Sequence, residues 1–140
     1  MDKPVGGTYV LDASALLHFV DDDAGAGRVE QLLQAAARRN TPLLMSVANW
    51  GEVFYHEWQI HGEEKARRTM ANLARLPLDL VAIDLAQALK AGELKAVHKI
   101  PYVDCMAAAL ATLRQAMLVT SDRDFEKLGR RFPILWITHS

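Results

Sequence analysis

Tyr9-Val10-Leu11-Asp12-Ala13-Ser14-Ala15 is the stretch that decides how this chain folds. An apolar run bounded by Gly6-Gly7 on one side and small residues on the other fits a strand buried on both faces, as in a parallel sheet. Ligand sites in such sheets form beyond the carboxyl ends of the strands, and Asp12 stands at that position. An acid or hydroxyl before a helix also serves as an N-cap, so Asp12 or Ser14 fits that role equally well. The stretch alone leaves both readings open.

Outward from it, strands and helices alternate. A short helix runs from Ala13 to Val20 and ends in Asp21-Asp22-Asp23, which reads as a solvated loop. Val29, Leu32, Leu33 and Ala36 keep helical spacing over Gly27 to Arg39, with Arg38-Arg39 in the last turn, where cations suit the dipole. Leu43 to Val47 is a second strand, and the helix after it, Ala48 to His61, carries Trp50, Val53, Phe54 and Trp58 on one face. A charged helix spans Glu63 to Arg75. Leu80 to Ile83 is a third strand, and Asp84 with Gln87 forms a capping-box pattern for the next helix. Pro101 opens the alanine-rich helix Tyr102 to Gln115. Ala116 to Thr120 is a fourth strand, a short helix covers Arg123 to Leu128, and Pro133 to Ile137 is a fifth strand. This order predicts an α/β class fold: a three-layer α/β/α sandwich around a mostly parallel five-stranded sheet, with residues 1–140 as one domain and the first seven as a tail.

The bulk numbers narrow the function. Sixteen basic against 17 acidic residues give a net charge of −1, which argues against a protein held on nucleic acid by a large positive field. One cysteine, Cys105, excludes an internal disulfide and a cysteine-based zinc cluster, and suits a reducing cytoplasm. It reads as a small buried residue. No apolar core follows Met1-Asp2-Lys3-Pro4, as a signal peptide requires, and no apolar run reaches membrane-spanning length. The five histidines lack zinc-site spacing and read as surface or packing residues. Trp50, Trp58 and Trp136 read as core or interface anchors.

Two strands end alike, one in Asp12 and the other in Thr120-Ser121-Asp122. In a parallel sheet these carboxylates share one edge. They repel unless their pKa values rise or a cation binds between them, and hard oxygen ligands of this kind suit Mg²⁺ or Mn²⁺. Asp104 lies in the first turn of its helix beside the apolar face, where an acid needs a partner or simply answers the helix dipole. Glu52 falls opposite Val53 and Phe54, so periodicity makes it solvent-facing, although it sits one turn beyond the second strand. Ser121 and Asp124 read as a capping pair.

Four segments carry a resemblance: Val10-Leu11-Asp12-Ala13-Ser14-Ala15-Leu16-Leu17, Ser46-Val47-Ala48-Asn49-Trp50-Gly51-Glu52-Val53, the run from Tyr102 through Asp104 to Ala111, and Leu118-Val119-Thr120-Ser121-Asp122-Arg123-Asp124-Phe125. Together, in this order, they resemble PIN-domain ribonucleases, and most closely the toxins of VapBC-type toxin–antitoxin pairs. The resemblance implies an Mg²⁺- or Mn²⁺-dependent endoribonuclease. Its acidic quartet falls on Asp12, Glu52, Asp104 and Asp122, with Ser14, Thr120 and Asp124 as auxiliary residues. It implies an RNA substrate, a cognate antitoxin protein and a homodimer. Two other readings stand beside it. One is a PIN-like RNA-binding or regulatory module without turnover. The other is a phosphotransfer domain, for which Ser14 stands where a haloacid-dehalogenase-like phosphatase has its second aspartate.

Overall fold

The computed structural model describes residues 7–138. The elements are β1 (Tyr9–Leu11), α1 (Ala13–Asp21), α2 (Ala26–Arg39), β2 (Leu43–Ser46), α3 (Val47–His61), α4 (Glu63–Leu73), β3 (Leu78–Val81), α5 (Leu85–His98), α6 (Tyr102–Leu113), β4 (Met117–Thr120), a 3-10 helix (Arg123–Leu128) and β5 (Ile134–Trp136). The expected N-terminal tail lies outside the described residues apart from Gly7.

All strand pairs are parallel, in the order β3-β2-β1-β4-β5. β1 is central and buried throughout, as its unbroken apolar run requires. Alternate side chains feed opposite faces. Val10 and Leu118 pack against α5 and α6, while Tyr9, Leu11 and Val119 pack against α1 and α2. A third cluster joins Ala13 and Leu16 of α1 to Val53 of α3 and Leu73 of α4. The alanines of α6 are buried almost without exception, so this helix lies close against the sheet. The expected three-layer parallel fold is therefore present.

Connections from β1 run outward through β2 to β3, then return across β1 to β4. The order reverses beside β1, and the crevice beyond β1 and β4 is the switch point where ligands bind in such sheets. Gly25 lets the α1–α2 turn sit close to the far end of the chain. Its φ is 97°, and a Cβ there would come within 3.1 Å of Ile137 O.

β3 starts two residues before the expected Leu80. The Leu43 N–H already donates to Pro77 O at 2.9 Å, so pairing begins straight after the proline. Ser46 pairs with Val81, and β2 then turns into α3, leaving Ala82 and Ile83 without a partner strand. On α3 the buried positions are Asn49, Val53 and Glu57. Trp58 is 40% exposed rather than a core anchor. Its ring meets Phe54 edge-on and lies under the Arg67 guanidinium, so it packs on the surface of α4. Among the described residues, no helix is long and apolar enough to cross a membrane.

Candidate active site

Asp12 both caps α1 and lines the cleft. Its main-chain N–H donates to Val119 O, which extends the β1–β4 ladder by one residue. Its Oδ1 accepts from the Ala15 N–H at 2.9 Å and from Ser14 Oγ at 2.8 Å, which caps α1. Its Oδ2 accepts from Thr120 Oγ1 at 2.5 Å. A carboxylate has about four lone-pair positions, so one on Oδ2 is left without a hydrogen bond. Burial raises the Asp12 pKa from 3.8 to about 6. The bonds from Thr120, Ala15 and Ser14 oppose that rise, and the Asp122 charge adds to it.

β4 delivers the second acid. Thr120 Oγ1 also accepts from the Asp122 N–H at 2.9 Å, so one buried hydroxyl fixes two acids. Asp122, not Ser121, caps the 3-10 helix, accepting from the Asp124 N–H at 2.9 Å. The expected Ser121–Asp124 capping pair is therefore replaced, because the Ser121 hydroxyl is taken by His18.

α6 brings Asp104 in from the other face of the sheet. One carboxylate oxygen each of Asp104, Asp122 and Asp124 lies within 4.8 Å of the others. The Asp104 pKa is raised to about 7, first by burial and then by the charges of Asp122, Glu52, Asp12 and Asp124. The helix dipole alone does not place an acid in such company.

Glu52 is half-buried and lines the same cleft as Asp12, Asp104 and Asp122, contrary to its place on the helical wheel. Glu52 follows the buried Asn49 by three residues and turns toward the cleft, while Gly51 and Gln59 on the outer side of α3 stay exposed. Burial raises its pKa, opposed by the bond from Asn49. Asn49 is fully buried and tethers two elements, its Nδ2 donating to Glu52 Oε1 at 3.4 Å and to Val103 O at 3.3 Å. Sequence reasoning missed it. An asparagine inside a helix three residues before a site acid was the available signal, because helix interiors disfavour that residue.

The cleft is about 160 Å³, lined also by Ser14, Leu17, Tyr55 and His56. Among the described residues, His56 is the only basic side chain on that lining, and no lysine or arginine stands beside the acids there. Lys95 instead donates to Ile100 O, and Arg123 stacks over Trp136 and donates to Thr138 O. Carboxylates gathered in this way, Asp12 and Asp104 buried and Glu52 and Asp122 half-buried, with no lysine or arginine beside them among the described residues, form a donor set that fits a hard divalent cation. Cys105 is buried, and its thiol pKa is raised, first by burial.

Fold and site together define an α/β/α domain with an acidic cleft at the switch point of a parallel sheet. The PIN domain family model matches residues 9–131, and the chain belongs to that family. A search of curated proteins finds no match. Among solved structures, the chain is similar to a toxin–antitoxin complex from Klebsiella pneumoniae at 19% identity and TM-score 0.69, covering 95% of this chain and 100% of that one. It is similar to VapBC2 from Rickettsia felis bound to a promoter DNA fragment, at 16% identity and TM-score 0.73, covering 91% and 97%. It is also similar to Mycobacterium tuberculosis VapC20, described as a Sarcin-Ricin loop cleaving toxin, at 17% identity and TM-score 0.68, covering 87% and 95%. At these identities the likeness is one of fold.

Proposed function

We propose that the protein is a divalent-metal-dependent endoribonuclease, acting as the toxin of a toxin–antitoxin pair. The observation that carries this is the gathering of Asp12, Glu52, Asp104 and Asp122 around one cleft, with Asp124 close to Asp104 and Asp122 and, among the described residues, no lysine or arginine on the lining. Asp104, Asp122 and Asp124 would hold the cation directly, and Asp12 would reach it through the free position on Oδ2. When bound, Mg²⁺ or Mn²⁺ supplies positive charge to the scissile phosphate and lowers the pKa of the attacking water.

The remaining chemistry belongs to the chain. Glu52, steadied by Asn49, orients water or accepts its proton. Ser14 and Thr120 hold Asp12 in one rotamer, the usual task of residues hydrogen-bonded behind a metal ligand. His56 lines the cleft, where its ring N–H would donate to a phosphate oxygen. The near-zero net charge fits a protein that recruits RNA through its site rather than through a broad basic surface.

The antitoxin partner rests on the family resemblance, and it is supported by the toxin–antitoxin complexes that share the fold. Self-association belongs to the same reading, and the exposed Ile83, Leu85 and Leu89 give it an apolar strip.

The test is cleavage of total cellular RNA with Mg²⁺ or Mn²⁺, mapped at the 5′ ends. The wild type should cut at discrete sites, while chelator or Asp12→Asn should abolish cutting. Wild-type cleavage rates in Asp12→Asn would sink the assignment. Metal binding without any turnover would favour the binding-module reading instead.

A further inference from the structure

Ser121 stands between the residue that bonds Asp12 and the first acid of the β4 end. Its main-chain N–H donates to Ser14 Oγ at 3.1 Å. Its hydroxyl lies 2.9 Å from His18 Nε2. His18 is in the last turn of α1, and its other ring nitrogen, Nδ1, is paired with Asp23 in the α1–α2 turn. A line of contacts therefore runs from the acidic loop, through the imidazole, to the strand end that carries Asp122 and Asp124. Neither the acidic run nor the histidine has another role in the site.

The segment needs such a hold. Asp122 and Asp124 stand close to Asp104 with no cationic side chain between them, so before a cation arrives their charges push the β4 end away from α6. Several contacts oppose that push: Thr120 Oγ1 holds the Asp122 N–H, Ser14 holds the Ser121 N–H, His18 holds the Ser121 side chain, and Arg123 ties the following residue to Trp136 and Thr138 O. Of the contacts made by Ser121 itself, only that with His18 leads out of the cleft to the α1–α2 turn. With Asp23 accepting from Nδ1–H, Nε2 accepts from the serine hydroxyl.

We propose that His18, oriented by Asp23, is a positioning residue that bolts Ser121 to α1 and so pre-arranges Asp122 and Asp124 for the cation. This rests on the reading of the acids as a metal site. Residues one bond behind a metal ligand typically tune affinity about 10–100-fold, and His18 acts at the lower end because it works through the neighbour of a ligand.

The experiment is calorimetric titration of the full chain with Mn²⁺, alongside melting curves in chelator. The proteins compared are the wild type, His18→Ala, Ser121→Ala, their double variant and His18→Gln. His18→Ala and Ser121→Ala should each weaken Mn²⁺ binding about tenfold. The double variant should match either single one, since all break the same contact. His18→Gln should restore affinity to within about twofold, because its amide can reach the serine hydroxyl where imidazole Nε2 does. A purely structural role would lower the melting temperature without this rescue of affinity. Unchanged Mn²⁺ affinity in His18→Ala, or additive effects of the two single variants, overturns the proposal. If His18→Ala melts too low to titrate, Asp23→Asn keeps the imidazole and should weaken binding about threefold, and no change there overturns it equally. A wild type that binds no Mn²⁺ overturns the metal reading itself, whereas a binding wild type with insensitive variants overturns only the role of His18.

Discussion

Replacing Asp104 by asparagine should stabilise the metal-free protein at pH 8 while disabling it. The folded chain raises the Asp104 pKa from 3.8 to about 7, so between these values it keeps a proton that the unfolded chain has released. Folding stability therefore falls as pH rises from about 4 to about 7, and above 7 the full penalty is present. A rise of this size corresponds to about 4 kcal/mol. Asp104 opens onto the cleft, where solvent offsets about half of it, leaving ~2 kcal/mol. For a chain of 140 residues, that is a rise in melting temperature of about 8 °C. The assay is thermal denaturation followed by circular dichroism, in chelator, at pH 8 and pH 5. Asp104→Asn should melt about 8 °C above the wild type at pH 8 and about 3 °C above it at pH 5, where the folded carboxyl keeps its proton but the unfolded one has released it. A variant no more stable than the wild type at pH 8, or a gap as large at pH 5 as at pH 8, would refute the reasoning. The physics is that of a site built at the expense of stability.

Thr120→Val keeps the shape but removes the hydroxyl from Asp12 Oδ2 and from the Asp122 N–H, so the melting temperature at pH 7 should fall by the equivalent of about 2 kcal/mol; no fall would mean those bonds contribute nothing net. Glu57 is buried with Oε2 lacking a partner and His61 at 3.9 Å from Oε1, so Glu57→Met should stabilise by about 1–2 kcal/mol in denaturant titration, and destabilisation would point to an unrecognised role for the acid.

The strand-to-acid junctions were legible because a parallel sheet forces continuous apolar strands to end at one edge. Val10 and Leu11 followed by Asp12, and Leu118 and Val119 followed by Thr120-Ser121-Asp122, carry that geometry in the chain itself. The Asp84 cap was legible for a similar local reason. Its carboxylate accepts from the Gln87 N–H, but the other half of the capping box does not form, because the Gln87 amide is drawn inward to Ser46 Oγ and Met106 O. Glu52 was not legible from periodicity, since a helical wheel cannot distinguish bulk solvent from a cleft walled by α6. Asn49 escaped because it is polar, although it shares with Val53 and Glu57 the face of α3 that tertiary neighbours bury. The contact from Asp23 through His18 to Ser121 spans three separate elements, so no spacing rule reaches it.

The central claim is that these acids hold the divalent cation on which RNA cleavage depends. Crystals of the wild type grown with Mn²⁺, measured near the manganese absorption edge, test it most directly. An anomalous peak should lie at about 2.1 Å from carboxylate oxygens of Asp104 and Asp122, beside the free Oδ2 position of Asp12. A peak only at the Asp21–Asp23 loop, or no peak at millimolar Mn²⁺, would contradict it.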